Sequence, residues 1–164
     1  MFQSTCILFT LPETYELTYM YKILGRPFLF RLNSDAAHDL AISTASSISK
    51  KRWALSVARS VYSYKEPSLR QKIFGLVFEN PIGLAAGFDK NGSAAPLMEA
   101  LGFGFVEIGS VTANPSTGNP RPRSFRLPKD ESLINRLGLN NDGAQTISRR
   151  AGKLSLTIPL GINI

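Results

Sequence analysis

Apolar side chains recur every three or four positions near the start of the chain, which is the spacing of a helix with one buried face. The repeat begins near Thr14, and its apolar positions are Leu17, Met20, Tyr21, Leu24 and Phe28. Pro27 is expected to kink or end this helix near Arg26, because proline has no amide hydrogen to offer the helical ladder.

Two further helices are predicted before residue 66. Asn33 or Ser34 can cap the first of them, and its apolar side consists of Ala37, Leu40, Ala41, Thr44 and Ile48. The second follows three basic residues at positions 50–52, and its apolar positions are Trp53, Val57, Val61 and Tyr64. The pattern therefore predicts a helical region over residues 14–66, closed by Pro67, and leaves residues 1–13 unassigned.

From Gln71 the pattern changes to short apolar runs separated by glycine, proline and asparagine. The predicted elements are a hairpin at 73–78, strands at 82–86, 105–112 and 158–164, and helices at 93–101 (capped by Ser93, stopped by Gly102) and 140–154. Strands that alternate with helices indicate a parallel sheet or barrel. We therefore predict an α/β fold in which residues 67–164 form the first three strands of an incomplete (β/α)₈ barrel. Three strands cannot close such a barrel, so we expect the chain to be part of a longer protein.

Composition and charge narrow the classes of function. Hydrophobic residues make up 43% and charged residues 19% of the chain, as in globular proteins. The net charge of +7 favours nucleic acid, anionic lipid or a phosphorylated ligand. Cys6 and His38 are the sole cysteine and histidine, which excludes a disulfide framework and multi-histidine metal sites. The apolar run at 6–11 is too short for a secretory signal, and no stretch reaches the roughly 18 apolar residues of a membrane span.

The segment NPIGLAAGFDK at residues 80–90 offers the clearest chemistry. Alanine and glycine at the end of a strand leave room for a flat ligand to lie against the backbone. Lys90 adds a positive charge at the rim where βα-barrels place their active sites. The alternative is a tight strand-to-helix turn with a solvated lysine.

Three other segments carry polar or glycine-rich patterns. Gly102-Phe103-Gly104 precedes a strand, and Glu107 replaces the third glycine, so a dinucleotide-binding fingerprint is excluded. The arginines of residues 119–126 suit anion recognition, although a surface loop or an RNA-contacting arm has the same composition. Residues 135–141 contain three asparagines, which suit either a turn or a polar ligand.

Taken in order, these segments resemble dihydroorotate dehydrogenases of the membrane-associated, quinone-using class. The resemblance extends from about residue 22 to the last residue. The matching motifs lie at residues 80–90, 102–112, 118–123, 125–128, 134–138 and 159–163. Each motif alone is weak, but together they occur in the order and at the spacing of the family.

This resemblance implies a (β/α)₈ barrel with FMN at the carboxyl ends of its strands. Dihydroorotate would be oxidised to orotate by hydride transfer to the flavin, which would then reduce a membrane quinone, in pyrimidine biosynthesis. The implied FMN contacts are Ala86, Gly87, Phe88, Asp89, Lys90, Ser110 and Asn163. The implied substrate contacts are Lys90, Asn135, Arg136, Leu137, Gly138 and Leu139, the last standing where phenylalanine is usual. A lysine suits the anionic flavin and substrate, and carboxamides suit a ring that both donates and accepts hydrogen bonds.

The quinone class is implied by the helical region, which soluble members of the family lack. Residues 28–38 resemble the part that binds the membrane and forms a quinone tunnel, and His38 and Arg126 would lie beside that tunnel. A lone helical histidine can also be purely structural. The expected location is peripheral to a membrane that carries anionic lipid. In a bacterium this would be the cytoplasmic face of the inner membrane, and in a eukaryote the mitochondrial inner membrane.

The resemblance also implies what these residues lack, because the catalytic base of the family is a serine expected beyond Ile164. The chain alone is therefore expected to be inactive. Two alternatives remain open: a small basic nucleic-acid-binding module, and a soluble family member with an unrelated extension. The basic residues are spread along the chain and not gathered on one face with aromatics, so no nucleic acid partner is expected.

Overall fold

A computed structural model describes residues 19–164 as a helical region followed by an α/β region. The apolar run at 6–11 and the predicted helix start, from Thr14 through Leu17, lie outside the described residues. In the part that is described, the helical region consists of a π-helical turn at Tyr21–Gly25, α1 at Arg26–Arg31, α2 at Ser34–Ser49 and α3 at Arg52–Tyr62. The three predicted helices are thus confirmed within these residues.

The ends of the first two helices follow from local chemistry. Asn33 caps α2 as predicted, because its Oδ1 accepts a hydrogen bond from the Ala36 amide at 2.8 Å. Pro27, in contrast, does not end the first helix, which continues to Arg31. The helix changes from π to α winding just before Pro27, where the Arg26 amide donates to the Tyr21 carbonyl. Proline is tolerated there because the first turn of α1 needs no amide hydrogen at that position.

The α/β region contains seven short strands and two helices. The strands are β1 Gln71–Ile73, β2 Leu76–Phe78, β3 Gly83–Leu84, β4 Phe105–Ile108, β5 Ser124–Leu127, β6 Ser132–Asn135 and β7 Leu160–Ile162. The helices are α4 Ala95–Ala100 and α5 Ala144–Ala151. Each predicted strand and helix is present in a shorter form, since the strands and helices end where hydrogen bonding stops and not where the apolar run does.

The three predicted parallel strands pair in the order β3-β4-β7. The central strand β4 carries Val106 and Ile108, which are fully buried. They pack in a core with Ala45 of α2, Met98 of α4 and Ile147 of α5. The helical region and the sheet therefore share one core. Three adjacent parallel strands with helices in the connections are what the start of a (β/α)₈ barrel requires.

The first hairpin is confirmed at its predicted place. β1 and β2 pair antiparallel with Ile73 opposite Leu76. The two residues between them, Phe74 and Gly75, have φ angles of 52° and 80°. Two positive φ angles are the signature of the two-residue turn that matches the twist of a hairpin.

The predicted cap of α4 is wrong. Ser93 does not cap this helix with its side chain, and Ala94 occupies the capping position without a side-chain bond. The Asp89 carboxylate satisfies the free amides instead, accepting hydrogen bonds from Ser93 N at 2.9 Å and Ala94 N at 2.7 Å. A carboxylate is the better acceptor for the positive end of a helix. Gly102, with φ 95°, follows the helix end as predicted.

A second hairpin, formed by β5 and β6, was not predicted. Its strands pair antiparallel from Ser124 opposite Asn135 to Leu127 opposite Ser132. The sequence pattern indicated a basic loop and a turn-rich stretch here, because prolines and asparagines flank both strands. Only β5, Ser-Phe-Arg-Leu, alternates polar and apolar residues, and β6, Ser-Leu-Ile-Asn, does not, so the pattern of a strand extends over four positions alone.

Candidate functional site

The carboxyl ends of the three parallel strands bring together residues from distant parts of the chain. Gly87 follows β3, Ser110 follows β4 and Asn163 follows β7. The Gly87 amide donates to the Gly109 carbonyl at 2.9 Å, and the Ser110 hydroxyl donates to Asn163 Oδ1. The predicted cofactor residues therefore lie along one edge of the sheet, as expected for neighbouring parallel strands.

Gly87 leaves open space at this edge. Its φ of 108° lies in the region that favours glycine, and a Cβ built on it would meet no atom of the described residues within 4 Å. A flat ligand could therefore contact the backbone here without a side chain in its way.

A cavity of about 390 Å³ opens beside Gly87. Its wall contains residues from all three predicted groups: Gly87 and Phe88 from the cofactor set, Asn135 and Leu137 from the substrate set, and His38 and Arg126 from the quinone set. The turn after β3, the end of the second hairpin and helix α2 thus face one space. Arg121, Arg123 and Arg126 add positive charge to the same wall, and Asp35 and Asp39 add negative charge. Three arginines against two aspartates leave the wall with a small positive balance.

Lys90 lines an adjoining cavity of about 360 Å³ together with His38, Phe88 and Asn140. The lysine is buried, and its Nζ donates a hydrogen bond to the Gly87 carbonyl. Burial lowers the pKa of Lys90 from its usual range, and the nearby positive charge of Arg123 lowers it further. Asp39 and Asp89 act in the opposite direction.

His38 is half-buried at the boundary between these cavities. Its ring meets the Phe88 ring edge to face, with centroids 5.5 Å apart. Burial and the charge of Lys90 lower the pKa of His38, while Asp39 and Asp35 partly oppose them. The imidazole is therefore neutral at neutral pH, and the structure places it against a predicted cofactor residue.

Arg126 has a structural role that the sequence did not indicate. Its guanidinium donates to the Leu32 carbonyl at 2.7 Å and to the Leu29 carbonyl at 3.3 Å. It also lies over the Phe30 ring, 4.7 Å from the centroid. A cation at the carboxyl end of α1 satisfies free carbonyls there, so Arg126 fastens the helical region to β5.

Asp89 is placed differently from its neighbours in the predicted cofactor set. Its side chain is fully buried and both carboxylate oxygens bind the start of α4, as described above. Only its backbone remains to meet a ligand. The carboxylate instead holds the turn that contains Lys90.

The predicted substrate stretch at 135–139 is divided between the cavity and the surface. Asn135 and Leu137 line the cavity, whereas the guanidinium of Arg136 donates to the Pro122 carbonyl at 3.2 Å. Gly138 has a φ of 74° and a Cβ there would lie 2.7 Å from the Asn119 amide nitrogen, so this position requires glycine. Leu139 is 55% exposed.

Two residues of the cavity wall were not singled out by the sequence, Arg123 and Asn140. Arg123 is 7% exposed and donates to the Thr117 and Asn119 carbonyls at 2.6 and 3.2 Å. Its Nε, a donor, and Asn140 Oδ1, an acceptor, are both buried without a partner among residues 19–164. Unpaired buried polar atoms are costly, so this pair fits a ligand that offers both an acceptor and a donor. The sequence pointed to the arginine loop and the asparagine run as polar segments, but it did not indicate which residue of each faces the cavity.

Comparison with known proteins gives a consistent family. A family model for dihydroorotate dehydrogenase matches residues 68–164. A dihydroorotate dehydrogenase (quinone) of Gloeobacter violaceus is 48% identical over 141 residues, which is 86% of this chain and 40% of that protein. One from Chloroflexus aurantiacus is 45% identical over 152 residues, covering 90% of this chain and 41% of that protein. The chain thus spans about 40% of the length of the curated relatives it matches.

Solved structures agree. A dihydroorotate dehydrogenase of Eimeria tenella in complex with ferulenol aligns with a TM-score of 0.60 at 36% identity, over 79% of this chain and 35% of that one. The ligand-free form from the same organism gives a TM-score of 0.55 at 38% identity, over 74% of this chain and 36% of that one. Because the family model matches more than half of the chain and the fold agrees, the chain belongs to the dihydroorotate dehydrogenase family.

Proposed function

We propose that this protein takes part in the FMN-dependent oxidation of dihydroorotate to orotate, with a membrane quinone as electron acceptor, in pyrimidine biosynthesis. The observation that carries the proposal is the cavity of about 390 Å³, whose wall contains two residues from each of the cofactor, substrate and quinone sets: Gly87 and Phe88, Asn135 and Leu137, His38 and Arg126. Family membership supports the reaction, and the relatives named above are quinone-dependent by name.

FMN would lie at the carboxyl edge of β3, β4 and β7. The open space at Gly87 fits a flat ligand, and the arginines of the cavity wall suit a phosphate group. The residues proposed to hold it are Ala86, Gly87, Phe88, Asp89 (through its backbone), Lys90, Ser110 and Asn163. When bound, FMN supplies the acceptor for the hydride of the substrate and passes the electrons on to quinone.

The substrate would be held between the turn after β3 and the end of the second hairpin. Lys90 lies in a partly desolvated place, where its positive charge acts strongly on an anionic carboxylate. Asn135, through its carboxamide, and the stretch 136–139 are proposed to orient the ring, and Asn140 Oδ1 is free to accept a further hydrogen bond. These residues bind and orient. As the family resemblance implies, the group that takes the proton is proposed to lie outside these 164 residues.

The quinone would approach from the helical region. His38 and Arg126 line the cavity on this side, and Arg126 also fastens α1. Lys22, Arg26 and Arg31 accompany exposed apolar side chains such as Leu24, at 61%, and Phe28, at 58%. This combination suits a helix lying on an anionic membrane surface. No helix of the described residues is long and apolar enough to cross a membrane. We propose a peripheral location, at the cytoplasmic face of a bacterial inner membrane or at the mitochondrial inner membrane of a eukaryote.

Binding of FMN tests the proposal directly. Gly87→Ala should weaken FMN binding at least about tenfold, because the new methyl group enters the space where the ring would lie. Gly75→Ala is the matched control: its φ is also positive, at 80°, and its Cβ also meets open space, but it lies in the β1–β2 turn. The measurement is quenching of FMN fluorescence on titration with protein. Equal affinities of the two variants would refute the proposed cofactor position.

A further inference from the structure

Three residues beside the candidate site form a closed set of contacts that the proposed reaction does not use. Asn91 Oδ1 accepts a hydrogen bond from the Asp142 amide at 2.9 Å, and the Asn91 carbonyl accepts one from Arg150 Nη1 at 2.7 Å. Arg150 Nη2 completes the set with Asp142 Oδ2 at 2.9 Å. We call these three residues the Asn91 clamp.

The clamp joins the two stretches of chain that meet at the site. Asn91 directly follows Lys90, and Asp142 directly follows the stretch 135–141. Neighbouring Cα atoms lie about 3.8 Å apart, so holding Asn91 and Asp142 together limits how far Lys90 can move from that stretch. Asn140 lines the same cavity as Lys90, which shows that the two stretches meet on either side of one space.

The ion pair within the clamp contributes little to the stability of the whole chain. Its side chains are 33% exposed for Arg150 and 43% for Asp142, and water screens a pair of this kind. The hydrogen bonds to Asn91, however, are directional, and Arg150 reaches both partners with one planar group. The clamp therefore fixes the relative positions of Asn91 and Asp142 and adds little to stability.

We propose that Arg150 is a positioning residue which, through Asn91, holds the Lys90 turn at a set distance from the stretch 135–141. The ligands of that site rest on the proposed function above. The placement of Lys90 is independent of the proposed function, because it is a property of the chain and can be measured without any ligand.

The titration of the Lys90 amine reports its placement. Burial is the main cause of its lowered pKa, Arg123 lowers it further, and Asp39 and Asp89 raise it. His38 also faces Lys90, whose positive charge lowers the pKa of the imidazole. Arg150 is not among these charges, although it lines the same cavity as Lys90. A substitution at Arg150 is therefore expected to act on Lys90 chiefly through the position of the turn.

The test compares Arg150→Gln with Arg149→Gln in the 164-residue chain. Both remove one positive charge from the last turn of α5, but the Arg149 side chain is exposed and its Nε donates to the Gln145 carbonyl within its own helix. The pKa of Lys90 is measured from the pH dependence of its trace acetylation, followed by mass spectrometry of the peptide that carries it. FMN affinity is measured in parallel by fluorescence.

Arg150→Gln should raise the pKa of Lys90 by about half a unit or more toward its ordinary value, as the amine gains water. It should also weaken FMN binding about tenfold, whereas Arg149→Gln should change neither quantity. An unchanged Lys90 titration in Arg150→Gln would overturn the inference, whatever happens to FMN. A raised pKa with unchanged FMN affinity would support the clamp and count against Lys90 as a flavin ligand. If Arg150→Gln does not fold, Arg150→Lys keeps the positive charge but removes the planar group that joins Asn91 to Asp142, and an unshifted Lys90 would overturn the inference there.

Discussion

At the scale of single residues, burial and charge determine the candidate site more than residue type does. Burial lowers the pKa of both His38 and Lys90, and the charge of Arg123 lowers both further, while the charge of Lys90 also lowers the pKa of His38. The carboxylate of Asp89, two positions from Gly87, accepts hydrogen bonds from amides at the start of α4. Neighbouring residues of one motif therefore have different roles, which depend on where each side chain points.

The lowered pKa of His38 has a consequence for stability. The folded protein binds this proton less readily than the unfolded chain, so the neutral ring stabilises the fold at high pH. That contribution is lost as the pH falls below the ordinary value of 6.5 and through the lowered value. His38→Gln should therefore show a shallower loss of unfolding free energy between pH 7.5 and pH 5 than the parent chain.

Urea unfolding at several pH values measures this difference. The carboxylates titrate in both proteins, so the gap between the two curves isolates His38. If the unfolding free energies of the two proteins change in parallel with pH, folding does not lower the pKa of His38 and the prediction is wrong.

At the scale of secondary structure elements, the helical region and the α/β region are held together by contacts at the start of α2 and the end of α1. Ser34 Oγ donates to the Ser124 carbonyl, and Asp35 accepts a hydrogen bond from the Arg123 amide at 3.0 Å. Arg121 pairs with Asp39 at 2.7 Å. These contacts place α2 against β5 and its preceding loop, and so close one side of the cavity.

Arg126→Gln should loosen α1, because the carbonyls of Leu29 and Leu32 lose a charged donor. Amide hydrogen exchange at 26–31 should become faster by a factor corresponding to about 1–2 kcal/mol, while exchange in β4 stays as it was. Arg26→Gln is the control, since Arg26 also lies over the Phe30 ring, at 5.0 Å. If both variants accelerate exchange equally, the ring contact and not the helix cap fastens α1.

At the scale of the whole molecule, the sheet has a buried centre and open edges. Within the described residues β4 pairs on both sides, whereas β3 and β7 each pair only with β4. Ile162 in β7 is 49% exposed. An exposed, apolar strand edge invites pairing with another chain.

We therefore expect the 164-residue chain to self-associate with rising concentration. Ile162→Lys should reduce this association, since a charge on the edge opposes strand pairing. Val61→Lys on α3 is the control, because it places the same charge at a residue that is 61% exposed but lies far from any strand edge in sequence. Sedimentation velocity measures the species present. If Val61→Lys reduces association as much as Ile162→Lys, general hydrophobic contact is responsible and not the strand edge.

The sequence by itself determined the features that depend on neighbours in the chain. Helical periodicity predicted the three N-terminal helices, Asn33 was recognisable as a cap, and the alternation of strands and helices predicted three parallel strands. The family resemblance implied Gly87, Ser110 and Asn163 as cofactor residues, and the structure places them after the carboxyl ends of these parallel strands.

The tertiary structure decided what depends on residues far apart in the chain. Arg126 and Leu32 are 94 positions apart, Arg123 and Asp35 are 88, and Arg150 and Asn91 are 59. No periodic pattern carries such pairings, because each depends on the direction of one polar side chain after the core has formed. The second hairpin belongs with them, since the alternation in its strands is confined to four residues and its pairing depends on contacts that form in the folded chain.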